Sequence, residues 1–182
     1  MKKLILFFIF SYGTLSYGQR LTYDDLIFGL TNSIGNIEDR MLTKQLPFTS
    51  AKALTSSNPH NINHTFSKNH HDLSYLAYTV CIFRGTNHNT SITTLKLDEF
   101  IKLRTQIKGL GYQLIETIQD EKVSTSSYKK GNFEVDFEVS NIDDYKMYTI
   151  TLLDAAKTKE MYRKVNTMEM TIPDRDSSTL ID

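Results

Sequence analysis

The chain has 182 residues with 21 basic and 21 acidic side chains, so its formal net charge is zero. A nucleic-acid-binding protein needs a basic cluster that replaces the counterions of the phosphates, and this sequence contains no such cluster. Its single cysteine, Cys81, excludes an intrachain disulfide, so packing must stabilise the fold. We expect the thiol to behave as a small buried apolar group.

Residues 1–18 have the pattern of an export signal. Two lysines precede an apolar run at residues 4–10, and Ser16-Tyr17-Gly18 is a small-residue cleavage pattern. A membrane span takes about 18 or more apolar residues, and this run is shorter. We therefore expect cleavage after Gly18 and a periplasmic or secreted mature protein with no membrane span.

Residues 20–95 are predicted to form a first unit, in which helices precede four strands. Thr22 and Asp25 have the spacing of a capping box, and the apolar helical stripe that follows ends at Gly35. A short second helix is predicted for residues 37–44.

Histidines His60, His64, His70 and His71 lie in an Asn- and Ser-rich stretch of this unit, which suggests a metal site as one interpretation. A His-x3-His pair binds a metal when a helix places both rings on one face, but Pro59 and the asparagines predict a loop. No acidic ligand with fixed spacing accompanies the histidines. We therefore expect a solvated loop that holds no metal.

Residues 73–84 are predicted to form a strand that is apolar on both faces. Leu76, Tyr78, Val80 and Ile82 alternate with a second set that is nearly as apolar, consisting of Tyr75, Ala77, Thr79, Cys81 and Phe83. A strand with two apolar faces needs cover on both sides. We therefore expect Tyr75, Thr79 and Phe83 to be contact residues of a binding surface.

Residues 96–153 are predicted to repeat the unit with one helix and four antiparallel strands. Asp98 is predicted to cap the helix, which is predicted to end at Lys108-Gly109. The strands are predicted at residues 112–119, 123–130, 133–139 and 145–153. In the third of these, apolar residues alternate with Glu134, Asp136 and Glu138, so we expect the three acids to face solvent as further binding residues.

Three segments match in order between the units, which favours an internal repeat. They are residues 46–48 and 110–112, residues 65–69 and 127–131, and residues 90–95 and 148–153. The sequence therefore predicts an α+β fold, in which two helix-plus-four-strand units form one antiparallel sheet with helices on one face. We expect one domain at residues 19–170, with a C-terminal helix at about residues 154–168 and a disordered tail at residues 171–182.

Catalytic motifs are not found in the sequence, and none of its patterns calls for a cofactor. The carboxylates of Glu134, Asp136 and Glu138 would be spaced by about 7 Å along the strand, a separation that suits carboxylate hydrolysis. Nothing in the pattern indicates the cleft or the unequal environments that such an enzyme needs. We therefore expect a protein that is not an enzyme.

Three features together resemble the uncharacterised exported proteins of Bacteroidetes. They are the signal ending in Tyr17-Gly18-Gln19, the segments Lys44–Phe48 and Lys108–Tyr112 that enter the sheet, and Tyr128-Lys129-Lys130-Gly131 before an alternating strand. In layout the paired units resemble β-lactamase inhibitory protein, which grips its target with a concave sheet. This resemblance implies a docking face for another protein.

The leading hypothesis is a non-catalytic exported binding or inhibitor-like protein that uses an open sheet face against another envelope or extracellular protein. One alternative is a small envelope hydrolase that uses the strand carboxylates or the His-rich loop. A second alternative is a self-associating structural subunit, in which the apolar face closes a homodimer.

Overall fold

A computed structural model describes residues 20–55, 58–68 and 75–169. The predicted signal peptide and the predicted tail lie outside these ranges. The helices are α1 (Tyr23–Thr31), α2 (Ile34–Thr43), α3 (Leu97–Gly109) and α4 (Ala155–Glu169). The strands are β1 (Phe48–Thr55), β2 (Asn58–Lys68), β3 (Leu76–Phe83), β4 (Thr86–Thr94), β5 (Gln113–Gln119), β6 (Val123–Lys130), β7 (Phe133–Ile142) and β8 (Tyr145–Asp154).

The strands form one antiparallel sheet in the order β1-β2-β3-β4-β8-β7-β6-β5. Each unit contributes four neighbouring strands, and β4 of the first unit pairs with β8 of the second. Ile92 lies opposite Ile150 at the centre of this junction, and the strand order is the same when read outward on either side. The units are therefore related by an approximate two-fold rotation about this pair. The predicted α+β class, with two helix-plus-four-strand units in one sheet, is confirmed.

Three sheet side chains hold α1 by hydrogen bonds to its backbone. Tyr78 donates its hydroxyl to the Asp25 carbonyl at 2.6 Å, and Thr90 donates its hydroxyl to the Leu26 carbonyl at 2.8 Å. The Asn87 amide donates to the carbonyl of Gly29, near the end of the helix, at 2.6 Å. Helix α1 thus lies directly against β3 and β4.

Asp25 is fully buried, and its carboxylate joins α1 to α2. It accepts hydrogen bonds from the Thr22 backbone N–H at 2.7 Å and the Thr22 hydroxyl at 2.9 Å, so the predicted capping box is confirmed. Arg40 Nε at 2.7 Å and Lys44 Nζ at 3.1 Å reach the same carboxylate from α2 and the residue after it. Because a buried carboxylate is costly without partners, these two cations are what permit its position.

Helix α3 packs on the same face of the sheet as α1, but through apolar side chains. Its Phe100 contacts the rings of Phe137 and Tyr148, with centroids 6.2 and 5.2 Å away. Phe137 lies opposite Ile150, in the row that also contains Tyr78, so the helices of both units cover one face. The predicted placement of the unit helices on one face therefore holds for α1 and α3.

Helix boundaries differ from the predictions by one to four residues. Helix α1 ends at Thr31 rather than at Gly35, because Ser33 caps a new helix by accepting the Asn36 N–H at 3.5 Å. Helix α3 begins at Leu97, so Lys96 rather than Asp98 occupies the N-cap position. The left-handed residue after α3 is Gly111, with a φ of 89°, rather than Gly109.

The loop predicted around His60 and His64 is wrong, since residues 58–68 form β2. Phe66 lies opposite Tyr78 of β3 and is fully buried, and residues 48–55 pair along the other edge of the strand. The apolar alternation of Ile62 and Phe66 outweighs the turn preference of the asparagines. Pro59 is tolerated because pairing with β3 begins only at Asn61.

Helix α4 follows β8 directly and lies on the opposite face of the sheet, here called the second face. Two grooves flank it. One is lined by Phe83, His88 and Met161 among others, and one by Glu134, Leu153 and Thr158 among others. Since Phe83, Glu134 and Leu153 are second-face residues, α4 covers one end of this face. None of the helices in the described ranges is long and apolar enough to cross a membrane.

Candidate binding face

All six predicted binding residues fall on the second face. Strand alternation places Tyr75, Thr79 and Phe83 there in the first unit, because the intervening Tyr78 faces α1. It places Glu134, Asp136 and Glu138 there in the second unit, because Val135 and Phe137 lie in the core beneath α3. The structure thus brings residues from two distant parts of the sequence onto one surface.

The register of the central strands places the side chains of this surface in rows. One row consists of Thr79, Ser91, Thr151 and Asp136, and the next consists of Ala77, Thr93, Thr149 and Glu138. Thr79 and Asp136 are three strands apart in their row, or about 14 Å at ordinary strand spacing. The rows therefore cross the junction between the units without interruption.

Hydroxyl groups dominate the middle of the second face. The Thr65 and Thr79 hydroxyls lie 3.4 Å apart, and those of Thr93 and Thr149 lie 3.2 Å apart. These threonines are half-buried, as expected for side chains packed beside one another on an open sheet. The centre of the face offers hydrogen-bonding groups rather than the aromatic anchors that the sequence predicted.

The three predicted carboxylates differ in their surroundings. Glu134 forms an ion pair with Lys129 at 2.6 Å, and Glu138 accepts the Ser140 hydroxyl at 2.7 Å. Burial raises the pKa of Asp136, and the nearby charges of Glu134 and Glu138 act in the same direction, whereas a hydrogen bond with the Ser127 hydroxyl opposes them. Asp136 is therefore the carboxylate whose charge is least stabilised.

Glu116 of β5 belongs to the same group of acids and was missed by the sequence analysis. It lies opposite Ser127, which lies opposite Asp136, and its charge also raises the pKa of Asp136. A register shift between Leu114 and Glu116 determines the face on which this side chain lies. No local pattern in the sequence reveals that shift.

Both predicted aromatic contact residues, Phe83 and Tyr75, are less exposed to solvent than expected. Phe83 is 3% exposed and packs against the His88 ring, with centroids 5.8 Å apart, in the part of the face that α4 covers. It is therefore corrected from a contact residue to a core residue. Tyr75 is half-buried, and burial raises the pKa of its hydroxyl.

The positions of the described histidines do not support the hypothesis of a metal site. His64 packs against Phe48, with ring centroids 6.0 Å apart, and burial lowers its pKa. His70 and His71 lie outside the described residues, as does the side chain of His60. In the described part of the chain, no group of three or more His, Cys, Asp or Glu side chains could hold a metal ion.

A hydrolase needs two carboxylates in one cleft with separate roles. Glu134 lines the groove beside α4 together with Lys129 and Thr158, but Asp136 and Glu138 do not line that groove. Their positions along one flat strand face suit contact with a surface better than enclosure of a substrate. Neither groove beside α4 therefore gathers two of the three acids.

No protein-family model matches the chain, and neither a curated protein nor a solved structure is significantly similar to it.

Proposed function

We propose that this protein is a non-catalytic exported protein that binds another protein through the open part of its second face. One observation carries the proposal: rows of hydroxyl and carboxylate side chains cross both units on the part of the second face that α4 does not cover. Such a face offers many hydrogen-bonding groups in fixed positions, as the polar parts of protein interfaces do.

The charge distribution favours a partner surface rich in lysine or arginine. By the two-fold relation, Tyr75 and Thr79 correspond to Glu134 and Glu138, and Ala77 corresponds to Asp136. At these equivalent positions the first unit is neutral, whereas the second unit, here called the anionic half, carries three acids. A complementary partner would present cations to the anionic half, and its binding should weaken as salt screens that attraction.

A matched pair of substitutions tests the proposal. Thr151 lies at the centre of a row on the second face, whereas Thr105 is an exposed residue of α3 on the helix side. Thr151→Arg places a bulky cation in the middle of the face and should reduce partner capture from an envelope or secreted extract by about tenfold or more. Thr105→Arg makes the same chemical change elsewhere and should leave capture unaltered.

Capture is quantified by cross-linking and mass spectrometry of the recovered proteins, with circular dichroism as a check on folding. Equal recovery of every partner by the wild type and both variants contradicts the proposal. Loss of one partner with Thr151→Arg alone, together with weaker capture at high salt, supports it.

Self-association is a second candidate, favoured by the exposure of strand β5 at the edge of the sheet. Every residue of β5 is exposed, including Leu114, Ile115 and Ile118, each more than half exposed. An exposed apolar edge strand is a template for pairing with another chain. Light scattering should show a dimer that Ile115→Lys with Ile118→Lys converts to a monomer. A monomeric wild type contradicts this candidate.

A further inference from the structure

A cavity of about 190 Å³ lies on the helix side of the sheet, close to the two-fold pair. Ile92 and Ile150 form its floor, and Phe100 and Leu103 of α3 form one wall. The segment that leads into α1 closes it from the other side. It is separate from the second face and does not depend on the proposed function.

The size and lining of the cavity select a small apolar group. An apolar protein cavity of about 150 Å³ stays dry and binds benzene, so this slightly larger cavity has room for one aromatic ring with a short substituent. Tyr148 and Phe100 stand side by side in the wall, with ring centroids 5.2 Å apart at 33°. A third ring can pack against them edge to face or offset.

Cations at the mouth of the cavity favour a ligand whose substituent is negatively charged. Arg20 and Lys102 line the mouth, and the Arg20 side chain has no ion pair among the described residues. Within the same described ranges, Lys102 reaches only Asp98, at 3.6 Å and with both side chains exposed, which is a weak interaction. A ligand carboxylate could take both cations as partners.

Glu99 is the acidic group of the lining, and its carboxylate already has partners. It accepts the Thr94 hydroxyl at 3.2 Å and lies 3.6 Å from Lys96 Nζ. These contacts reduce its repulsion of a ligand carboxylate. We infer that the cavity is a binding site for a single-ring aromatic carboxylate, with the ring between α3 and the sheet and the carboxylate at Arg20 and Lys102.

Calorimetric titration of the full chain with phenylacetate tests this inference. Toluene serves as the neutral probe and phenethylamine as the cationic one, and toluene binding is followed by ligand-observed NMR. Phenylacetate should bind saturably and more tightly than phenethylamine. Arg20→Gln should weaken phenylacetate by about tenfold, because it removes a charge-assisted hydrogen bond, and should leave toluene binding unchanged.

A substitution at the mouth of the cavity tests the inference without changing a core residue. Gln106 is an exposed residue of α3 at the mouth, so Gln106→Trp should close the cavity and abolish phenylacetate binding without disturbing the fold. Thr105→Trp, its exposed neighbour outside the lining, should bind as the wild type does. The inference is overturned if phenylacetate fails to bind, if phenethylamine binds equally well, or if Gln106→Trp binds normally.

Discussion

The two units hold their helices against the sheet in different ways at equivalent positions. Tyr78 and Phe137 are related by the two-fold rotation, since each lies opposite one isoleucine of the central pair. The Tyr78 hydroxyl hydrogen-bonds to the α1 backbone at 2.6 Å, whereas the Phe137 ring packs edge-on against Phe100 of α3. One position anchors a helix by a polar contact, and the other does so by ring packing.

Gly29 explains the difference in physical terms. Helix α1 approaches the sheet so closely that a methyl group at this position would overlap the Tyr78 hydroxyl and the Thr90 methyl. Helix α3 instead places Phe100 and Leu103 between its backbone and the sheet. A close approach permits polar anchors, while a wider spacing must be filled by large side chains.

The largest expected effect tests the polar cluster of the first unit. Asp25→Ala leaves Arg40 and Lys44 without their buried partner and should lower the free energy of unfolding by about 3 kcal/mol. This value lies in the lower part of the usual range for removing one partner of a buried ion pair, because the Arg40 side chain is 32% exposed and stays partly hydrated. Urea denaturation measures the change.

Asp98→Ala is the matched control in the second unit. Asp98 lies in the first turn of α3, and its side chain is 68% exposed. We expect a loss of less than about 1 kcal/mol, from helix-dipole and surface-pair effects. Equal losses for Asp98→Ala and Asp25→Ala would contradict the proposed difference between the units.

A second prediction concerns the close approach of α1. Gly29→Ala should lower the free energy of unfolding by about 2 kcal/mol, because the added methyl group forces Tyr78 or the helix to move. Gly35→Ala in α2 meets no atom within 4 Å and should instead raise it by roughly 0.5–1 kcal/mol. Thermal and urea unfolding measure the change in the free energy of unfolding for each variant, and the two changes should have opposite signs.

A third prediction concerns substitutions at the two equivalent positions, Tyr78 and Phe137. Tyr78→Phe removes one buried hydrogen bond and should cost about 1 kcal/mol in urea unfolding. If the α1 anchor contributes nothing, the variant will unfold at the same urea concentration as the wild type. Conservative exchange at the ring-packed position, Phe137→Leu, should leave the Tyr78 bond intact and perturb α3 instead, as amide hydrogen exchange would show.

The smallest expected effect compares a neutral and an acidic residue at equivalent positions of the second face. Asp136 occupies the position equivalent to Ala77, and its pKa is raised above the ordinary 3.8, chiefly by burial. Since the folded state holds this proton more tightly than the unfolded chain, stability falls as the pH rises from 3.8 through the raised pKa. Asp136→Asn should therefore be more stable than the wild type at neutral pH.

The pH dependence provides the check on that prediction. The difference between Asp136→Asn and the wild type should disappear below about pH 3.8, where the Asp136 carboxyl group is protonated in both the folded and the unfolded chain. Glu121→Gln, in the exposed turn before β6, serves as the surface control. A constant difference at every pH would mean that the variant acts through packing alone.

Much of the second unit could be predicted from the sequence. The bounds of β6 agree with the predicted residues 123–130, and alternation in β7 correctly placed Glu134, Asp136 and Glu138 on the face opposite Val135. Hydrophobic period and turn residues are local properties, so they report local structure. The capping box of Thr22 and Asp25 was predictable for the same reason.

Predictions were wrong where a distant segment decides the outcome. The strand β2 depends on pairing with β1 and β3, which overrides the turn preference of its asparagines. Phe83 is buried because α4, about 70 residues later in the sequence, covers that end of the face. Glu116 joins the acid group only through a register shift in β5.

By itself the sequence determined the order of helix and strands in the second unit and the side of β7 on which the acids lie, because both depend on the period of neighbouring residues. Only the tertiary structure decided which residues of the two units share a row and which of them α4 covers. It also decided that Asp25 is buried between Arg40 and Lys44. These outcomes depend on pairings across the whole sheet, and no local pattern encodes them.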